Sequence, residues 1–150
     1  MTNKIRGALL AAALFAVAAM AQDPWTAKDL IQPKDLADSL AATNKTKPTV
    51  FYVGFPALYR GAHIPGALLA GPCSKAEGLD ALKQAVRDLP RDSEIVLYCG
   101  CCPFVKCPNI RPAYKAVREL GFTRVKVMVV EINLHTDWVA KGYPVEKSGS

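Results

Sequence analysis

The chain has 150 residues, of which 51% are apolar and 21% charged, and its formal net charge is +6. Sixteen of the apolar residues fall within residues 1–21. The remaining residues have the composition of an ordinary globular domain. The length fits one domain and leaves no room for a second of normal size. The composition also excludes a disordered chain and a protein with several membrane spans.

Residues 1–21 have the pattern of a secretory signal peptide. A positively charged start precedes 15 residues without a charge. Ala19 and Ala21 are the small residues that a signal peptidase requires, so we predict cleavage before Gln22. An exported domain over residues 22–150, periplasmic or secreted, is therefore expected, with no stable membrane insertion after cleavage. The alternative is an uncleaved membrane anchor.

The predicted mature domain carries 17 basic and 13 acidic side chains. The two signs are interspersed, with no run of one sign. A nucleic-acid-binding surface usually shows clustered basic residues, so we expect no nucleic-acid partner. A solvated surface of mixed charge explains this pattern.

Buried strands alternate with amphipathic helices along the predicted domain. In chain order we first predict a helix from Pro33 to about Ala42, a strand over Thr49–Val53, a loop over Gly54–Gly66 and a short apolar run over Ala67–Ala70. Next come a helix over Ser74–Leu89, a strand over Glu94–Tyr98 and a cysteine-rich loop over Cys99–Pro108. The last predicted elements are a helix capped by Asn109 and ended by Gly121, a strand over Arg124–Val130 and a short helix over Leu134–Lys141. Nearly continuous apolar strands between helices are typical of an α/β fold with a parallel sheet covered on both faces.

The cysteines are distributed in a way that indicates a site. Four of the five fall within nine residues, whereas a structural disulfide framework would space them along the chain. These four are Cys99, Cys101, Cys102 and Cys107. The fifth, Cys73, lies in a turn and is given no role. An odd count in an exported protein leaves at least one thiol free or paired between chains.

Cys99 directly follows the strand Glu94–Tyr98, and its loop leads through Gly100 to the helix beginning near Asn109. The start of a helix carries unpaired N–H groups and partial positive charge, which favour an anion. We therefore expect Cys99 to have a lowered pKa and to act as a nucleophile. The alternative that its position leaves open is a buried, inert thiol at the end of a strand. Inward-pointing loop amides would cradle a sulfur anion bound to it.

Two other uses of the cysteine loop stay open. One is a disulfide between Cys102 and Cys107. The other is metal binding, since soft thiolates suit Zn²⁺ or Cu(I). The spacing lacks the paired C-x₂-C arrangement of common zinc sites, and the neighbours Cys101 and Cys102 would have difficulty reaching one tetrahedral ion together.

The two histidines receive structural interpretations. His63 lies in a loop, where a hydrogen bond that stabilises a turn is expected rather than a catalytic base. His135 and Asp137 are read as a surface pair at the start of a helix.

At five places the sequence resembles the rhodanese family of sulfurtransferases. The matching segments are His63–Ala67, Ile95–Cys99, Leu120–Phe122, Trp138 and Gly142–Val145. Their order and spacing cover nearly all of residues 22–150. The resemblance implies a parallel central sheet with helices on both faces. It also implies that Cys99 carries sulfur as a persulfide.

Two departures from the family pattern stand out. The family's active-site loop is about six residues long and ends in Arg, whereas here Val105 lies six residues after Cys99. The corresponding Arg position, counted back from the end of the following helix, is Asn109, with Arg111 nearby. The family's Asp-x-Arg is replaced by Tyr52–Gly54. No Cys-x₅-Arg loop can be drawn, which argues against phosphatase chemistry.

The leading hypothesis is an exported rhodanese-like protein that handles sulfane sulfur through a persulfide on Cys99. Cys101, Cys102 or Cys107 would accept the sulfur or resolve the persulfide as a disulfide. The expected partners are a small sulfur donor or thiol acceptor and a thiol reductant protein, and no cofactor is expected. The alternatives are a thiol–disulfide redox protein that works through a Cys102–Cys107 or a Cys99–Cys102 pair, a Zn²⁺ or Cu(I) thiolate module and a protein-binding module without catalysis.

Overall fold

The computed structural model describes residues 22–148. The predicted signal peptide lies outside the described residues. Within residues 22–148, no helix is both long and apolar enough to cross a membrane.

A five-stranded parallel sheet forms the centre of the molecule, in the order β1-β5-β4-β2-β3. Its strands are β1 (Leu30–Ile31), β2 (Thr49–Tyr52), β3 (Leu68–Leu69), β4 (Glu94–Tyr98) and β5 (Arg124–Met128). β4 is the middle strand and pairs with β2 and β5. The predicted parallel sheet is confirmed.

Five helices connect and cover the strands. They are α1 (Pro33–Ala41), α2 (Pro56–Gly61), α3 (Ala76–Val86), α4 (Ile110–Glu119) and α5 (Leu134–Asp137). Short 3₁₀ turns occur at Ala27–Asp29, Phe104–Lys106 and Val139–Lys141.

The sheet is buried on both faces, as expected for parallel strands. Successive side chains of β4 alternate between two apolar cores. Ile95 and Leu97 pack with residues of α3 and α4. Val96 and Tyr98 pack on the other face with residues of α1 and α5. Because β4 is held from both sides, the residue that follows it has a fixed position.

The segment predicted as a loop over Gly54–Gly66 contains the helix α2, so that prediction was wrong in part. Pro56 occupies the first turn of α2, where its missing N–H costs nothing. The helix has only six residues and none of them is buried, so it has no apolar periodicity to detect. The predicted last helix is also shorter than expected, because Trp138 interrupts it before a 3₁₀ turn.

Gly121 ends α4 with φ of +90°, a backbone conformation that favours glycine. We predict that Gly121→Ala lowers the free energy of unfolding by about 1–2 kcal/mol, because a Cβ strains left-handed backbone. Urea denaturation followed by circular dichroism measures this change.

Gly61→Ala is the matched control for this prediction. Gly61 has no positive φ, and no atom lies within 4 Å of the position that its Cβ would take. Alanine there should leave the stability unchanged or raise it by about 0.4–1 kcal/mol. Equal destabilisation by the two substitutions would show that the backbone conformation at Gly121 is not the cause.

Candidate functional site

Cys99 lies at the carboxyl end of the central strand, where sites gather in parallel sheets. The next residue, Gly100, turns the chain with φ of +77°. A Cβ at Gly100 would lie 2.9 Å from Cβ of Leu134. The Gly100 carbonyl accepts a hydrogen bond of 2.9 Å from the Leu134 N–H. A glycine is therefore required for this turn to pack against α5.

Four thiols from the loop converge at this point. The Sγ atoms of Cys99 and Cys101 are 3.3 Å apart, and those of Cys101 and Cys102 are 3.1 Å apart. The sulfurs of Cys99, Cys101 and Cys107 all lie within 4.8 Å of one another. These three could hold one soft metal ion. All the cysteines are free thiols, and together these four are called the sulfur cluster below.

The surroundings of Cys107 favour its thiolate form. Its pKa is lowered because its thiolate accepts hydrogen bonds from the Cys99 thiol and from the backbone N–H groups of Asn109 and Ile110. The pKa of Cys99 is raised, because this thiol donates to Cys107 and is buried. The prediction of a lowered pKa at Cys99 was therefore wrong. The N-terminus of α4 stabilises the thiolate of Cys107 instead.

Asn109 precedes α4 as predicted, but its side chain does not cap the helix. The side chain is fully buried. Its amide donates to Sγ of Cys99 at 3.4 Å, and its oxygen accepts the N–H of Ser74 at 2.9 Å. Asn109 therefore holds Cys99 in place and directs a hydrogen-bond donor at its sulfur.

A cavity of about 580 Å³ opens beside Cys99 and Cys101. Its walls are largely apolar, with Leu58 and Leu134 among them, and Lys147 and His135 also line it. Another cavity of about 610 Å³ is lined mainly by charged side chains and contains no thiol. The cavity at Cys99 is therefore the candidate active site.

Tyr52 contributes a hydroxyl that sequence reasoning missed. Among the described residues, its buried oxygen has no hydrogen-bond partner, and its ring lines the cavity. Burial and the nearby Cys99 raise its pKa well above the ordinary value, so it stays protonated. The signal was in the sequence, since Tyr52 stands where the resembling family has its Asp.

Gly54 makes room for Cys99 beside Tyr52. A Cβ on Gly54 would lie 2.7 Å from Sγ of Cys99 and 2.7 Å from the hydroxyl oxygen of Tyr52. Any larger residue would therefore displace one of the two groups. This glycine occupies the position of the family's Arg in Asp-x-Arg.

Arg111 lies in the first turn of α4, as predicted, but its guanidinium binds groups outside the sulfur cluster. Its guanidinium pairs with the carboxylate of Asp23, donates to the Val105 carbonyl at 2.7 Å and lies 5.4 Å from the ring centre of Trp25. Arg111 thus ties the segment before β1 to the cysteine loop.

His63 and Asp137 have structural partners, whereas His135 lines the cavity beside Cys99. His63 is buried, with Nδ1 2.8 Å from the Tyr59 carbonyl, and its backbone pairs with Glu146. The carboxylate of Asp137 accepts the N–H groups of Ile132 and Asn133 at the start of α5. Both arrangements hold the chain in place.

The comparisons with known proteins identify the fold. No protein-family model and no curated protein matches the chain. The rhodanese-like domain of the Alr3790 protein from Anabaena is 21% identical, covers 79% of each chain and has a TM-score of 0.58. The single-domain sulfurtransferase RDL2 of Saccharomyces cerevisiae is 17% identical over 79% of this chain and 95% of its own, with a TM-score of 0.53. A rhodanese-like domain protein from Staphylococcus aureus is 16% identical over 81% and 99%, with a TM-score of 0.51.

These structures share the parallel five-stranded sheet with its covering helices, and the cysteine loop follows the central strand as the resemblance implied. The sequence identities are too low to transfer an activity or individual site residues. What the structural similarity establishes is the architecture, and the chain has the rhodanese-like fold.

Proposed function

We propose that the chain is a sulfurtransferase-type protein that carries sulfane sulfur on Cys99. The observation that supports this most directly is the contact of 3.3 Å between the sulfurs of Cys99 and Cys101 beside the cavity. In this chain, which has the rhodanese-like fold, the buried thiol of Cys99 lies at the end of the central strand and faces the cavity. The thiol of Cys101 lies within reach of it.

The loading step is a displacement at sulfur. Sγ of Cys99 attacks the outer sulfur of a donor such as thiosulfate, while its proton passes along the hydrogen bond to Cys107. A new S–S bond forms on Cys99, the donor's S–S bond breaks, and sulfite leaves with the electron pair. The product is a persulfide on Cys99, with no net oxidation.

Tyr52 and Asn109 supply the hydrogen bonds for this step. The Tyr52 hydroxyl has no partner among the described residues and lies beside Sγ of Cys99. The Asn109 amide already donates to that sulfur. Buried donors aimed at developing negative charge stabilise a transition state in a site that excludes water. These two neutral donors take the part that the missing loop Arg would have played.

Release follows the row of thiols toward the surface. Cys101 attacks the outer sulfur of the Cys99 persulfide and takes it over, and Cys102, 3.1 Å further on, takes it in turn. Cys101 and Cys102 are partly exposed whereas Cys99 is buried, so each transfer brings the sulfur closer to an external thiol acceptor. If Cys101 attacks Sγ of Cys99 instead, a disulfide forms, hydrogen sulfide leaves and a thiol reductant protein must restore the site.

A second candidate function is thiol–disulfide exchange, and the Cys99–Cys101 contact of 3.3 Å favours it too. Glutathione disulfide would then oxidise the reduced chain, which would lose two hydrogen atoms and gain no sulfur. A labile reduction potential, above about −300 mV, would support this function.

We include export in the proposal, on the pattern of residues 1–21. In an oxidising compartment the sulfur cluster depends on a reductant to stay free. Expression of the full chain in a bacterial host should give a periplasmic protein that begins at Gln22. N-terminal sequencing of the purified protein measures this, and a protein that retains residues 1–21 would contradict export by cleavage.

We predict that Cys99→Ser abolishes sulfur loading. The reduced protein is incubated with thiosulfate or a small persulfide and its intact mass is measured. The unmodified chain should gain one sulfur atom, and the variant should gain none, because serine cannot form a persulfide. Cys73→Ala is the matched control, because Cys73 is a buried thiol outside the sulfur cluster, and it should load fully. An adduct that persists in Cys99→Ser would refute the assignment.

We predict that Tyr52→Phe slows loading of Cys99 about 100-fold, because it removes one donor from the transition state. The substitution should leave the free energy of unfolding unchanged or raise it by about 1 kcal/mol, since the buried hydroxyl lacks a partner. Stopped-flow mixing with the sulfur donor, followed by quenching and mass measurement, gives the rate.

Tyr98→Phe is the control for Tyr52. The rings of these tyrosines are 5.2 Å apart, and the hydroxyl of Tyr98 accepts the buried N–H of Ile64. Its loss should destabilise the fold by about 1–3 kcal/mol and leave the loading rate unchanged. If Tyr52→Phe loaded at the unmodified rate, its hydroxyl would have no part in the reaction.

A further inference from the structure

We propose that Cys99, Cys101 and Cys107 form a binding site for a single Cu(I) ion. This inference does not depend on the proposed function, because the three sulfurs are in place whether or not Cys99 ever carries sulfane sulfur. The proposal gives the sulfur cluster a second binding partner, Cu(I), which competes with sulfane sulfur for the thiol of Cys99.

The separations of the sulfurs fit one shared ion. Thiolate–metal bonds are about 2.3 Å long, so three sulfurs around one ion lie about 4 Å apart in a trigonal arrangement. The sulfurs of Cys99 and Cys101 are 3.3 Å apart, and no two of the three sulfurs are more than 4.8 Å apart, which is compatible with this value. Small side-chain rotations would complete the site.

Hydrogen bonds to the sulfurs offset the charge that three thiolates would bring together. The Asn109 amide donates to Sγ of Cys99 at 3.4 Å, and the N–H groups of Asn109 and Ile110 donate to Sγ of Cys107. Asn109 is itself held by the N–H of Ser74. Such outer contacts orient ligands and tune metal affinity.

The donor set selects Cu(I) over Zn²⁺. Structural zinc sites almost always have four ligands in a tetrahedron, and among the described residues only these three ligand atoms all lie within 4.8 Å of one another. Cys102 lies outside this group, although its sulfur is 3.1 Å from that of Cys101. Three soft sulfurs without a fourth ligand suit the low coordination number of Cu(I).

A Cu(I) ion could reach the three sulfurs through the cavity, and once bound it would compete with sulfur loading. Cys99 and Cys101 both line the cavity, and Cys101 is partly exposed, so an ion can enter there and be held by the buried sulfurs. As the Cu–S bonds form, the thiol protons leave to solvent and no oxidation occurs. Cu(I) and a persulfide both need Sγ of Cys99, so each should exclude the other.

The test is an anaerobic titration of the reduced full-length protein with Cu(I), in competition with the chromophoric chelator bathocuproine disulfonate. One equivalent of Cu(I) should leave the chelator. Cys101→Ser should lower the affinity about 100-fold or more, because it removes a ligand without disturbing the buried core, and Asn109→Ala should lower it about 10- to 100-fold. Cys73→Ala and Cys102→Ser should stay within a few-fold of the unmodified protein.

Three results would overturn the proposal. The first is no transfer of Cu(I) from the chelator. The second is a loss of Cu(I) affinity in Cys102→Ser as large as the loss in Cys101→Ser, which would show that Cys102 is one of the ligands. The third is tighter retention of Zn²⁺ than of Cu(I). Sulfur loading of the metal-free protein is measured separately, so failure of the Cu(I) site and failure of the proposed function can be told apart.

Discussion

The backbone N–H groups at the start of α4 donate to the sulfur of Cys107, and the arrangement of the other thiols depends on this interaction. A negative Cys107 accepts a hydrogen bond from the thiol of Cys99, which keeps Cys99 protonated and neutral at the end of β4. The long loop brings Cys107 back under Cys99, so the helix N-terminus acts on a neighbour of the candidate nucleophile. Cys99 itself receives a side-chain donor, the amide of Asn109.

The site achieves its electrostatics without arginine. Tyr52 and Gly54 stand in place of Asp-x-Arg, and the guanidinium of Arg111, at the start of α4, is paired with Asp23. Neutral donors therefore lie next to Cys99, which suits both roles proposed for its sulfur. The sulfane-sulfur proposal and the Cu(I) proposal share this basis, since both use close, polarisable sulfurs in a partly enclosed cavity.

Much of the architecture could be predicted because local patterns agree with the tertiary contacts. β4 reads as an apolar run because both of its faces are buried, and α3 and α4 show the periodicity of helices with one buried face. α2 was missed because none of its residues is buried. The side chain of Asn109 was misread because an asparagine before a helix usually caps it, whereas here burial next to Cys99 and Ser74 gave it better partners.

By itself, the sequence determined the alternation of the main strands and helices, the parallel sheet and the position of the cysteine loop after the central strand, because these follow from residue type and spacing along the chain. Only the tertiary structure decided which thiol has its pKa lowered by its neighbours, which three sulfurs lie close together, and that the Tyr52 hydroxyl has no partner among the described residues. These properties depend on distances between residues from different elements, and such distances are set by how the elements pack. The protonation of a thiol depends on the groups around it in space, and the pattern of apolar residues along the sequence does not show which groups these are.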